Sequence, residues 1–171
     1  MKFLIEKFLP GSKINIYSIR YVNGQNELDQ FNETQKFFKS IRNDYPNDFI
    51  LFKTLLRKII DKSGAKKKFF RDETNSSCDY LYALINNDDV GRHYTGELRL
   101  FCLRFDEDKI IFGNGGIKTT QTYNEDPHLN TIARILQKLC YILLEKISEG
   151  DMWWDNKELK TKTNLEIEFE L

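Results

Sequence analysis

Apolar residues fall into two periods along this chain. Residues 2–9 and 14–22 are dense in Phe, Ile, Tyr and Val and are split by Pro10-Gly11-Ser12-Lys13, which predicts two strands joined by a turn. From Glu27 the period becomes helical. Leu28, Phe31, Phe38 and Ile41 share one face, and Phe49, Phe52, Leu55, Leu56, Ile59 and Ile60 repeat the pattern more densely, with Pro46-Asn47-Asp48 as a start signal and Gly64 as a stop. Residues 79–85 predict a strand, followed by a polar loop at Asn86-Asn87-Asp88-Asp89. Two further strands, 98–105 and 109–113, flank the tight turn Asp106-Glu107-Asp108. Asp126 is a good N-cap with Pro127 in the first helical position, and Leu129, Ile132, Ala133, Leu136, Leu139, Cys140 and Leu143 form a stripe ending near Gly150. The final Leu165–Leu171 alternates strictly, as a half-buried strand with an acidic outer face does. This order predicts an α+β fold, an antiparallel sheet with the 27–41 and 46–62 helices packed on one face, plus a long C-terminal helix and final strand.

Composition adds bounds. A chain of 171 residues is one domain's worth, 40% hydrophobic and 30% charged, which is a globular balance with a water-soluble surface. Lys+Arg and Asp+Glu stand at 26 each, so any argument for a nucleic-acid partner must come from local patches. Cys78, Cys102 and Cys140 are odd in number and far apart, and only His93 and His128 could join them. That pattern calls for no disulfide framework, metal site or cofactor, and predicts reduced thiols in a cytoplasmic protein. The apolar N-terminus is interrupted by Glu6 and Lys7 and is read as strand, not signal peptide, and no stretch is long enough to span a bilayer.

Three groups of residues carry candidate chemistry. Arg57 to Arg71 holds seven cations against the single Asp61. The helix dipole accounts for Lys58 and Lys62, but Lys66, Lys67, Lys68 and Arg71 lie past Gly64, beside the anchoring Phe69 and Phe70, a composition that suits a phosphodiester backbone. In the 98–105 strand, alternation sets Arg99 on the face of Phe101 and Leu103, and Arg104 on the opposite face with Leu98, Leu100 and Cys102. Each arginine shares a face with apolar residues, so it either meets a carboxylate or lines a cleft where an anion supplies the counter-charge. Phe112-Gly113-Asn114-Gly115-Gly116-Ile117-Lys118-Thr119-Thr120-Gln121 reads as a strand exit whose glycines, Lys118, Thr119 and Thr120 could hold a phosphate, although neither the dinucleotide fingerprint nor the P-loop is present. No nucleophile triad is assignable.

The segments Leu98-Arg99-Leu100 to Arg104-Phe105, the acidic turn, Lys109 to Gly116 and Ile117-Lys118-Thr119-Thr120-Gln121 resemble the RelE/ParE superfamily of bacterial toxins, in its HigB-like branch, over roughly residues 50–125. The resemblance divides the chain into a core with its N-terminal hairpin at 1–126 and an extension of the same domain at 127–171. It implies the toxin of a type II toxin-antitoxin system, a metal-independent endoribonuclease (mRNA interferase) using the RNA's own 2′-OH. Arg99 would stabilise the phosphorane charge, with Lys118 and Arg104 as further catalytic cations. Lys66, Lys67, Lys68, Arg71, Thr119, Thr120, Tyr123 and His128 would contact RNA. The implied partners are mRNA, on or off the ribosome, and a helix-turn-helix antitoxin, with no membrane. This chain departs from the family in its neutral charge, its additional strand and helix, and a glycine pair in place of an aromatic before Lys118. The alternative is a non-catalytic protein-binding module, or a gyrase-directed ParE-like toxin, with Arg99 and Arg104 paired inside the fold.

Overall fold

The computed structural model describes residues 1–85 and 97–170, so the Asn86–Asp89 loop, His93 and Leu171 lie outside the described residues. The elements are β1 (Lys2–Leu9), β2 (Asn15–Val22), α1 (Glu33–Asp44), α2 (Pro46–Lys58) running on into a π-helical turn (Ile59–Ser63), β3 (Phe70–Asp72), β4 (Leu81–Ile85), β5 (Glu97–Asp106), β6 (Lys109–Lys118), α3 (Pro127–Ser148), β7 (Met152–Asp155), β8 (Glu158–Thr161) and β9 (Glu166–Glu168). Seven strands form one sheet in the order β3-β4-β5-β6-β2-β1-β9, and β7 and β8 make a separate hairpin. The pairing is antiparallel except between β2 and β6, which run parallel with Ile16 beside Ile110. The helices and outer strands between β2 and β6 form the long crossover that a parallel pair needs.

Both faces of the sheet are covered. On one, Phe37, Phe52, Leu56 and Ile59 of α1, α2 and the π-helical turn pack on Ile16, Leu84, Leu100, Cys102, Ile110 and Phe112. On the other, the α3 stripe packs on Phe3, Ile19, Ala83, Phe101, Leu103 and Ile111. The predicted α+β class and the packing of the first two helices on one face hold, while α3 supplies the third layer. The first helix starts later than its apolar spacing predicts because Asn32 and Gln35 form a reciprocal capping box; Leu28 stays exposed and bridges to Val22. Asp126 caps α3 through the amides of His128 and Leu129, with Pro127 in the first turn, as its sequence predicts.

The C-terminal region is tied into the sheet. β9 pairs with β1, Phe169 stacks on Phe3 at 5.7 Å, and Glu166 pairs with Lys2 at 2.8 Å. The unpredicted β7–β8 hairpin is held to β1 and β2 by Glu158, which accepts from Lys7 of β1 (2.7 Å) and from Asn15 (2.8 Å) and Tyr17 (3.2 Å) of β2, while the Tyr17 hydroxyl accepts from the Leu159 amide at 2.9 Å. Burial, opposed by that amide and reinforced by the Glu158 charge, pushes the Tyr17 phenol up to about 12. The Lys7 ammonium holds the Glu158 carboxyl below its ordinary range. No helix among the described residues is long and apolar enough to cross a membrane.

Candidate functional site: an apolar cleft with a cationic rim

The expected glycine loop is strand. Gly113 to Lys118 belong to β6, and none of Gly113, Gly115 and Gly116 takes a positive φ. Between Cys102 opposite Phe112 and Leu100 opposite Gly115, the single Phe101 of β5 faces both Gly113 and Asn114, so β6 carries a bulge here. The glycines permit close packing. A Cβ on Gly115 would lie 2.0 Å from the Arg99 carbonyl oxygen and 2.8 Å from the Phe37 ring, and one on Gly113 would lie 3.1 Å from Leu136 of α3. Extended backbone without a positive-φ turn, with the Gly115 amide donating to Asn114 Oδ1 at 2.7 Å, does not form a phosphate cradle, which corrects that expectation.

The two arginines lie on opposite faces of a sheet covered on both sides. Arg99, only 1% exposed, donates through Nη1 to Glu73 Oε1 in a short ion pair, and Glu73 is itself 8% exposed. Arg104, 6% exposed, donates through Nε to the Ala65 carbonyl at 2.6 Å and lies over the Tyr82 ring at 5.7 Å. A single phosphate cannot meet both guanidinium groups. Arg71 does converge with Arg99, its Nε standing 3.7 Å from the same Glu73 oxygen. The register sets Arg99 beside Gly116 and Lys118 beside Glu97, which puts Lys118 on the Arg99 face.

The remaining predicted residues are dispersed. Lys66, Lys67 and Lys68 are exposed in the 3-10 turn before β3, where Lys58 and Lys68 flank the Phe69 ring at 5.5 and 5.3 Å. Thr119 is exposed, and the Thr120 hydroxyl donates to the Thr122 carbonyl at 2.6 Å. Tyr123 is buried, packed edge-on against Phe101 at 5.6 Å with its hydroxyl accepting from Asn75 at 3.1 Å, so its ring is not available to stack on a base. The His128 ring meets the Gly115 carbonyl through Nε2 at 3.3 Å. Among the described residues no group of three or more His, Cys, Asp or Glu gathers as metal ligands do.

A feature that the sequence reading missed lies on the opposite face. Where α1 and α2 meet the end of β1, an open cleft of about 440 Å³ is lined by Phe8 and Leu9 of β1, Phe31, Phe38 of α1, Phe49 and Leu56 of α2, and Ile60. Lys39 and Arg42 rise on the α1 side, and Lys53 and Arg57 on the α2 side; all four are exposed. Lys39 Nζ lies 3.6 Å from the centre of the Phe31 ring and Lys53 Nζ 5.1 Å from that of Phe49. Among the described residues none of the four has a carboxylate within 4.0 Å, in contrast to Lys36 of the same α1 helix, which holds Asp29 and Glu33 at 2.6 Å. The pairs Lys39/Arg42 and Lys53/Arg57, three and four residues apart, were visible in the sequence, but helical periodicity alone does not reveal that two helices bring these cations to one groove. Compared with known proteins, the chain matches no family model, no curated protein and no solved structure, so its function is argued from these residues alone.

Proposed function

We propose that this chain is a non-catalytic protein-binding module whose docking surface is the cleft between α1, α2 and the end of β1. One observation carries the reading: four exposed cations without carboxylate partners among the described residues surround an apolar floor. An apolar groove in water and a ring of unneutralised charge are two features that one partner can satisfy together.

The second reading is the metal-independent endoribonuclease of RelE/ParE type. Arg71, Arg99 and Lys118 support it by sharing one face of the sheet. Its difficulty is energetic: Arg99 would have to leave Glu73 to meet a scissile phosphate, and separating a buried pair costs several kcal/mol. The two readings part in a direct assay. Purified protein incubated with RNA, with and without a magnesium chelator, should leave the RNA intact. Fragments ending in cyclic phosphate, lost in a folded Arg99→Lys variant, would reject the binding-module reading in favour of the nuclease.

A further inference from the structure

Granting the binding-module reading, we infer that the occupant of the cleft is an amphipathic helix of a partner protein, apolar along one stripe and acidic along both flanks. The positions of the charges lead to this. Lys39 and Arg42 are three residues apart on α1, and Lys53 and Arg57 four apart on α2. At a rise of about 1.5 Å per residue, each rim therefore carries its two cations about one turn apart, separated along the helix axis by roughly 4.5 Å on α1 and 6 Å on α2. Phe38, Phe49, Leu56 and Ile60 line the same cleft as these four cations.

A segment that fits must point apolar groups down and carboxylates sideways in both directions at the same repeat. A helix does this, because positions flanking an apolar stripe project toward the neighbouring elements and recur every three or four residues. An extended strand does not: residues that alternate with its apolar ones point directly away from the groove. A single-headed amphiphile would neutralise one end of the cleft and leave the opposite rim unmet. Single-stranded RNA needs open aromatic faces for its bases, yet Phe31 and Phe49 already carry the Lys39 and Lys53 ammonium groups against their rings. Those contacts also hold the two lysines near the rim before the partner arrives, which lowers the entropy lost on docking.

The test uses the full chain and a fluorescein-labelled designed peptide of about 18 residues, with Leu and Phe on one helical stripe and Glu on both flanks. Fluorescence anisotropy is read against three comparators: the same residues scrambled, the peptide with Glu replaced by Lys, and an oligouridylate. The designed peptide should bind at least about tenfold more tightly than either other peptide and than the oligouridylate. Because exposed ion pairs are individually weak, each of Lys39→Gln, Arg42→Gln, Lys53→Gln and Arg57→Gln should weaken binding a few-fold, and the fourfold variant on the order of tenfold or more. Raising salt should erode the same margin. Equal binding of the scrambled peptide would overturn the helical occupant while leaving the binding-module reading in place. Displacement of the peptide by dodecanoate with higher affinity would reassign the cleft to a small amphiphile, and stronger binding of the oligouridylate would reassign it to RNA. A peptide affinity unchanged in the fourfold variant would overturn the site itself. So would a concentration-dependent dimer, measured by sedimentation, that excludes the peptide, because a second copy would then be the occupant. RNA cleavage in the assay above would remove the underlying reading independently of any peptide result.

Discussion

Replacing Arg99 by alanine separates a structural arginine from a catalytic one. In the fold, Arg99 is 1% exposed and Glu73 8% exposed, and the two are directly paired. Removing one partner of a buried ion pair costs about 3–5 kcal/mol, because the remaining charge loses its compensation without regaining water. Arg71 lies 3.7 Å from the same carboxylate and is 49% exposed, so it remains to offset part of that loss, and the expectation sits at the lower end, about 3 kcal/mol. For a chain of this size each kcal/mol moves the melting temperature by about 2–4 °C, which gives a fall of roughly 6–12 °C in Arg99→Ala. Thermal and urea unfolding of Arg99→Ala, Glu73→Gln and the double variant, followed by circular dichroism, would measure it. The double variant should lose less than the two single losses summed, since each single change already breaks the pair. A melting temperature for Arg99→Ala within about 1 °C of the parent would refute the structural assignment, because an arginine held only for a phosphate can be removed without loss of stability.

Three other expectations follow from the packing. Gly115→Ala should destabilise by about 3 kcal/mol or more, since the added carbon meets the Arg99 carbonyl at 2.0 Å, whereas Gly24→Ala, with nothing within 4 Å, should change little; paired chemical denaturation curves check both. The Tyr17 phenol is raised above its ordinary 10.0 to about 12, so its contribution is complete below pH 10 and is lost as pH rises toward 12; the stability gap between the parent and Tyr17→Phe should narrow over that window in alkaline unfolding series. The Glu158 carboxyl is held low chiefly by Lys7, so its contribution is present above the ordinary 4.5 and lost as pH falls below it; Glu158→Gln should flatten the acid limb of the stability profile.

The legible parts of this fold were those set by local chemistry. Asp126-Pro127 and the following apolar stripe marked the start and inner face of α3, because capping and helical period both act within a few residues. Period-two alternation likewise assigned Arg99 and Arg104 to opposite faces of β5. What alternation could not supply was the counter-charge, since Glu73 precedes Arg99 by 26 residues and reaches it only through the β3–β4–β5 arrangement. The glycines of β6 misled for a related reason: glycine signals either a turn or a close approach, and the neighbours that make this a close approach, Phe37 and Leu136, come from helices on opposite sides of the sheet. The parallel β2–β6 pair and the cationic cleft are both products of tertiary placement. The elements that build them were legible as helices and strands, although β6 runs on to Lys118 and α1 starts at Glu33, and local pattern says nothing of where their partners lie.

The binding-module account can be tested most directly by mapping where each class of ligand touches the chain. Amide chemical shifts of isotopically labelled protein, recorded during titration with the acidic amphipathic peptide and separately with an oligoribonucleotide, would report both faces of the sheet in one sample. The account predicts that the peptide shifts residues 31–42 and 49–60 while the oligoribonucleotide stays intact and leaves the surroundings of Arg99 unmoved. Peptide titrations that leave both helices unperturbed, together with RNA-dependent shifts around Arg71, Arg99 and Lys118 and cleavage of that RNA, would contradict it.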